Sequence, residues 1–271
     1  MRKMKNILLY LTIISLFLLN NLAGQETIQV EGATGVGIIA GGISERDARR
    51  EALNDAKVEA LRKAGVSEHL SSYEMLFRSE TDRDYSEFFS ADIHSELQGA
   101  VQQYGIVNEQ RSVDVHRNLF TIEITIDATV ILYSSRPDPA FNVSVEGIKG
   151  IYESGETLAF SVYSSMDCYL NIFNITDNET LLMYPNPWEE QIKISAREYV
   201  DFPFGHVDYH MEKSGREPEM NRLVFVFTKK PVQFLNYRGE YQFTTQEELF
   251  SWIYGLTPDA RRVDYQVFTI R

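Results

Sequence analysis

Apolar residues recur at two spacings along the chain, and the change of spacing divides it. Ile28 and Val30 alternate with polar neighbours, as in a short half-buried strand. From Ser44 to Ala64 the period becomes helical: Ala48, Ala52, Ala56, Ala60 and Ala64 recur every four residues, flanked by Leu53 and Leu61. Such a narrow ridge of small side chains lets a helix lie close against a sheet. Gly65 follows as the expected residue just past the helix end. A second, less regular helical region carries Phe89, Ile93 and Leu97 at four-residue spacing. The most regular strand comes next, with Phe120, Ile122, Ile124, Ile126, Ala128 and Val130 alternating with Thr121, Glu123, Thr125, Asp127 and Thr129. Val113 and Val115 precede it across Arg117-Asn118, so a β-hairpin is expected, one face in the core and one in water. Together these elements predict an α+β domain over residues 26–133, with helices packed on an antiparallel sheet.

Residues 134–139 read as a linker, because Pro137 and Pro139 stop both helix and ladder. Beyond it the rhythm over 140–271 is that of strands. Phe141, Val143 and Val145 alternate, as do Leu158, Phe160 and Val162; Leu170–Ile175, Leu223–Phe227 and Val263–Phe268 are further apolar runs. Turn signals separate them, including Ser154-Gly155, Asp177-Asn178 and Tyr184-Pro185-Asn186-Pro187. The expectation is an all-β sandwich-like domain. The LVFVF run has no polar face, which predicts a strand buried on both sides and central in its sheet. Thr244 or Thr245 is placed to cap a short C-terminal helix through Glu248, with Leu249, Phe250, Trp252 and Ile253 as its apolar side. That helix is expected to close an edge or end of the sandwich.

Residues 1–24 add a cellular location to this picture. A basic start (Arg2, Lys3, Lys5), an apolar run from Ile7 to Leu19 and small residues at Ala23 and Gly24 follow the order of a secretory signal peptide. The run is too short to span a bilayer, which takes roughly 20 residues. Cleavage is expected before Gln25, giving an exported chain in the periplasm or outer envelope and no transmembrane segment in its mature form. A lipid anchor would need a cysteine at that point, and the single cysteine is Cys168. One cysteine also forbids an internal disulfide. Without the leader's three cations the chain has 23 basic and 39 acidic residues, a net charge of −16. Such a chain repels phosphate backbones, so nucleic acid is not an expected partner.

Candidate chemistry is sparse. Gly35-x-Gly37 followed by Gly41 is one residue too long for the dinucleotide fingerprint, and no Gly-Lys-Ser or Gly-Lys-Thr follows for a P-loop. Ser44, Glu45 and Asp47 already put negative charge at the helix start, where a phosphate would be repelled. The glycines therefore read as a connection between strand and capped helix. His206, Asp208 and His210 alternate as a strand would present them to one face; two imidazoles and a carboxylate are zinc-type ligands, but a further strong ligand, for which Glu212 is the candidate, and the right backbone are still needed. No Gly-x-Ser-x-Gly elbow is present, and Cys168 sits in an apolar run where a small buried thiol is the ordinary reading. Asn142, Asn174 and Asn178 match the glycosylation sequon but read as strand and turn residues. Tyr184, Trp188, Tyr199, Phe202, Phe204 and Tyr209 crowd a stretch rich in proline and charge. Aromatic rings there would supply a binding surface, or else pack beneath a long loop.

Two resemblances bear on function. Val30-Glu31-Gly32-Ala33, Ala48-Arg49, Ala52-Leu53, Asp55-Ala56, Ala60 and Ala64-Gly65, with Gly105-Ile106-Val107 and the FTIEITIDATV strand, resemble the N-terminal module of flagellar assembly protein T and related small bacterial envelope lipoproteins over residues 28–131. Tyr152-x-x-Gly155-Glu156-x-Leu158-x-Phe160, Ser164 with Asp167-Cys168-Tyr169-Leu170-x-Ile172-Phe173, and Leu182-x-Tyr184-Pro185-Asn186 resemble a bacterial domain of unknown function (the 4384 family) attached to envelope and caspase-like proteins. Neither resemblance lends catalytic residues or a cofactor. The expectation is a non-enzymatic envelope protein, an assembly or structural component that binds another envelope protein or a glycan, with edge-strand pairing as one mode. The alternative is a metal-dependent hydrolase or metal-binding protein using His206, Asp208 and His210.

Overall fold

The structure is a computed structural model that describes residues 25–40, 42–66, 98–114, 119–176, 178–204, 207–213, 215–239 and 242–271. The segment 1–24 expected to be a signal peptide, the helical region expected around Phe89, Ile93 and Leu97, and His206 lie outside the described residues.

Strand β1 (Gln25–Ile39), helix α1 (Glu45–Lys63), β2 (Gly99–Asp114) and β3 (Leu119–Tyr133) form the first unit. Its sheet is antiparallel in the order β1-β3-β2, and α1 covers one face. The alternation in β3 does what its sequence predicts: Ile122, Ile124, Ile126, Ala128 and Val130 are buried under the helix. Phe120, at the far end of the strand, is 54% exposed. Ser44 caps α1 by accepting from the Asp47 amide at 3.1 Å, and its hydroxyl holds the Asp47 carboxyl below the usual range, so the first turn keeps its negative charge. The far end closes as the sequence predicts, with Gly65 at φ +98 and the Val66 amide bonded to the Leu61 carbonyl at 3.0 Å.

The glycines differ from the expected connection. Gly35 and Gly37 lie inside β1, opposite Ile124 and Ile122 of β3, on the face that receives the helix. A Cβ on Gly37 would stand 1.7 Å from the Ala48 carbonyl oxygen, and one on Gly35 would stand 2.2 Å from that of Ala52. Glycine on the strand and alanine on the helix thus remove side chains from both sides of one contact, and the two backbones meet almost directly. The strand does not end at the glycines because only their missing side chains, not their conformation, are needed.

The second unit is built from strands β4 (Val143–Glu146), β5 (Ile151–Tyr152), β6 (Glu156–Leu158), β7 (Phe160–Ser164), β8 (Cys168–Ile175), β9 (Thr180–Tyr184), β10 (Lys193–Ile194), β11 (Tyr199–Phe202), β12 (Tyr209–Met211), β13 (Glu219–Thr228) and β14 (Phe243–Thr244), followed by helix α2 (Gln246–Gly255) and β15 (Arg261–Ile270). The main sheet runs β14-β9-β8-β13-β15-β5, with β10 also on β8; a smaller sheet runs β11-β7-β4, and β12 pairs with β6. Between main and smaller sheets lies a core that includes Phe160, Val162, Leu170, Ile172, Phe225 and Phe227. Strand β13, which carries the LVFVF run, sits between β8 and β15 and is buried on both faces, as its lack of a polar face predicts.

The outer face of the main sheet explains that second burial. Phe173, Ile175, Leu182, Val224 and Val226 belong to one continuous core with α1, the first sheet and α2. Helix α2 starts at the expected Thr245–Glu248 capping box. Rather than closing an edge or end, it lies over this face, with Trp252 5.7 Å from the Phe173 ring, and also packs on β2. Its apolar residues are too many for one stripe, and both neighbours use them. The 134–139 segment is likewise tied down: Lys229 Nζ meets the Asp138 carboxyl at 2.5 Å and holds it below its usual range, and Arg262 donates to the Asp138 carbonyl.

Candidate functional site

Strand β9 ends at Tyr184 because Pro185 and Pro187 bring no N–H to continue the ladder. The chain then folds over Asn186, whose Oδ1 accepts from the Trp188 and Glu189 amides, both at 2.9 Å. Its Nδ2 donates to the Met183 carbonyl and to Glu189 Oε2, again at 2.9 Å. Glu189 is carried into the interior, only 1% exposed. There Oε2 also accepts from the Tyr209 hydroxyl at 2.6 Å and Oε1 from the Phe204 amide at 3.3 Å. The Tyr184 hydroxyl donates to the Glu190 carbonyl at 3.1 Å and accepts from the Ile192 amide at 2.8 Å. Burial pushes the Tyr184 phenol up to about 12. Burial first, and then the bond to Glu189, push the Tyr209 phenol higher still. Both therefore act as neutral hydroxyls that fasten this loop to the sandwich.

The six crowded aromatics separate by burial. Tyr184, Phe202 and Tyr209 are in the core and Phe204 is half-buried; the Tyr184 and Phe202 rings meet edge-on at 5.1 Å, and Phe204 meets Phe202 at 5.2 Å. Trp188 and Tyr199 are exposed, at 64% and 59%. Tyr199 lies beside Tyr163, with ring centroids 5.2 Å apart. The aromatic crowd is mainly the sandwich's own packing. Asp208 and His210 alternate with the buried Tyr209 and Met211 and project outward, with His210 opposite Thr157. Among the described residues no three His, Cys, Asp or Glu side chains come together as a metal group. Cys168 is fully buried, and burial pushes its thiol up, away from reactivity.

Behind the loop lies a cavity of about 540 Å³, floored by Tyr169 of β8 and Leu182 of β9. Pro185, Asn186, Pro187, Glu190 and Gln191 make one wall. Gln191 anchors it by donating to the Leu170 carbonyl at 3.0 Å. The irregular segment after β13 makes the other wall, through Pro231, Gln233, Phe234, Leu235 and Tyr237. This wall is fixed from behind. Phe234, 2% exposed, packs edge-on to Phe173 at 5.0 Å and to Trp252 at 5.5 Å, and Asn171 donates to the Val232 carbonyl at 3.1 Å. Gln242 closes the end; it is 8% exposed, and its Oε1 has no hydrogen-bond partner among the described residues. No lysine or arginine lines the cavity among the described residues.

None of the six aromatics lines this cavity, although Tyr184 and Trp188 flank its first wall in sequence. The second wall escaped the sequence reading because residues 231–237 have no periodicity. The available signal was local: Val232, Phe234, Leu235 and Tyr237 resume an apolar character just beyond the Lys229-Lys230 pair, where a plain polar turn would be expected.

No curated protein matches the chain. A family model described as a domain of unknown function (DUF4384) matches residues 151–231, so the stretch from β5 to the start of the second cavity wall is similar to that family.

Proposed function

We propose that this is an exported, non-enzymatic bacterial envelope component that works by recognition, and that the cavity between the 185–191 segment and the 231–237 segment with Gln242 is where it binds. One observation carries the reading: both walls of a cleft sized for a ligand are anchored from behind on the sandwich, by Gln191 on one side and by Phe234 and Asn171 on the other. A preformed site loses little entropy on binding. The signal-peptide-like leader supports export, and the resemblance of residues 28–131 to the flagellar assembly protein T module supports an assembly role in the envelope. Edge pairing is the weaker mode. The terminal strands of the main sheet, β14 and β5, have two residues each, and such short edges offer a partner little backbone.

The test is fractionation of cells expressing the full chain, followed by capture from envelope extract. The mature protein should leave the cytoplasm with its leader removed, and the wild type should retain an envelope component that a Leu235→Asp variant loses. Retention of the intact chain in the cytoplasm would overturn export. Equal capture by both forms would move recognition away from the cavity.

A further inference from the structure

We infer that the cavity takes a neutral saccharide, of roughly two or three sugar rings. This rests on the recognition reading above and adds the ligand's chemistry. Charge narrows the class first. The lining holds Glu190 and no cation among the described residues, and the chain as a whole carries a formal −13. An anionic ligand would lose its hydration and gain no counter-charge.

Hydrogen-bond inventory narrows it further. Asn186, Gln191, Gln233 and Gln242 line the cavity; Asn186 is spent on the loop's own bonds and Gln191 Nε2 on the Leu170 carbonyl, which leaves the primary amides of Gln233 and Gln242 to present both a donor and an acceptor. The acceptor at Gln242 Oε1 is buried and, among the described residues, unmatched, which costs stability until a donor arrives. A proline-rich peptide offers chiefly carbonyl acceptors and leaves that oxygen unmatched. Hydroxyl groups donate and accept in the same place, as amides require. The rings complete the set: Tyr169 and Tyr237, the latter 38% exposed, line the cavity and supply aromatic surface of the kind that packs against the apolar C–H face of a pyranose. Pro185, Pro187 and Pro231 hold the walls without adding charge or side-chain entropy. A volume of about 540 Å³ suits a ligand of that size.

The experiment is titration of the mature full-length protein with maltotriose, cellotriose, chitotriose and an array of further neutral glycans. Trigalacturonate serves as the anionic control and a decaproline peptide as the peptide control. At least one neutral glycan should bind, and it should bind about tenfold or more tightly than trigalacturonate. Tyr237→Ala, at a partly exposed position that tolerates truncation, should weaken it about tenfold. Gln242→Leu should do the same, while Trp188→Ala, outside the cavity, should leave it unchanged. The inference is overturned if no neutral glycan binds, or if binding survives both cavity substitutions. Binding of decaproline alone, lost in Tyr237→Ala, would remove the saccharide and leave the recognition site standing. Absence of glycan, peptide and envelope-extract binding together would remove both.

Discussion

The Tyr209 hydroxyl donates to Glu189 Oε2 at 2.6 Å, and both residues are buried. The bond joins two segments that no ladder connects: the loop after β9, which forms a cavity wall, and the first residue of β12. Glu189 is held by neutral donors, from Tyr209, Asn186 and the Phe204 amide. A buried carboxyl with three donors and, among the described residues, no cation is tolerable only while the donors stay in place.

Removing either partner should therefore be costly, and the two costs should overlap. Glu189→Ala orphans the buried phenol and is expected to lower unfolding stability by about 3 kcal/mol. Tyr209→Phe should cost about 2 kcal/mol. The double variant should lose less than the sum by about 1 kcal/mol or more, read from urea unfolding at neutral pH. Strict additivity would mean that the bond contributes nothing beyond packing.

The phenols also predict a response to alkali. Burial raises the folded-state values of Tyr184, to about 12, and of Tyr209, higher still, above the unfolded value near 10. A folded state that keeps its protons longer than the unfolded state has its full stability below about pH 10 and loses it as pH rises towards the folded values. Each phenol should steepen the loss by up to about 1.4 kcal/mol per pH unit. Tyr184→Phe should flatten the stability profile above about pH 10 and leave its slope at neutral pH unchanged. An unaltered alkaline slope in that variant would show that the Tyr184 phenol ionises in the folded state.

Much of the architecture was legible because its signals are local. The Ser44 and Thr245 caps, Gly65, the alternation of β3 and the unbroken apolar run of β13 each state their environment in a few residues. Partnership across distance was less legible. Gly35 and Gly37 look like a loop until the Ala48–Ala56 ridge is laid on them, and glycine adds nothing to a hydrophobic pattern. For Tyr184, Phe202 and Tyr209 the sequence left a binding surface and packing beneath a loop both open, because their neighbours are prolines and charges, whereas the carboxyl bonded to the buried Tyr209 is itself one of those charges. The cavity was hidden for a related reason. Its floor comes from β8 and β9, but its second wall is an aperiodic segment placed by Phe234 and Asn171.

The close contact between β1 and α1 makes a sharp prediction about small substitutions. Gly37→Ala would put a methyl 1.7 Å from a backbone oxygen of Ala48, and neither backbone can move without parting helix from sheet. The expected loss is about 3 kcal/mol or more, at the upper end for overpacking. Gly35→Ala, with a 2.2 Å approach to Ala52, should behave alike. Gly105→Ala is the control, since nothing lies within 4 Å of its added methyl. That variant should stay within about 0.5 kcal/mol of wild type. Equal tolerance of all three in thermal unfolding would disprove the close approach.

Helix α2 gives the last prediction, because it belongs to both halves of the molecule. The Tyr133 hydroxyl donates to the Tyr254 carbonyl at 2.8 Å, Gln25 donates to the Gly255 carbonyl at 3.1 Å, and Ser251 donates to the Gln102 carbonyl at 2.9 Å. The buried Arg261 guanidinium lies over the Tyr133 ring at 5.5 Å. With one continuous core running through these contacts, the halves should unfold in a single transition, although their lengths would allow two independent domains. Weakening α2 alone tests this. Thr245→Ala removes the capping box and should cost about 1 kcal/mol. Native-state hydrogen exchange should then show the same drop in the most protected amides of β3 as in those of β13. Wild-type protection in β3 beside reduced protection in β13 would mean that the first sheet stands without the helix, and that the shared core is only a contact between independent units.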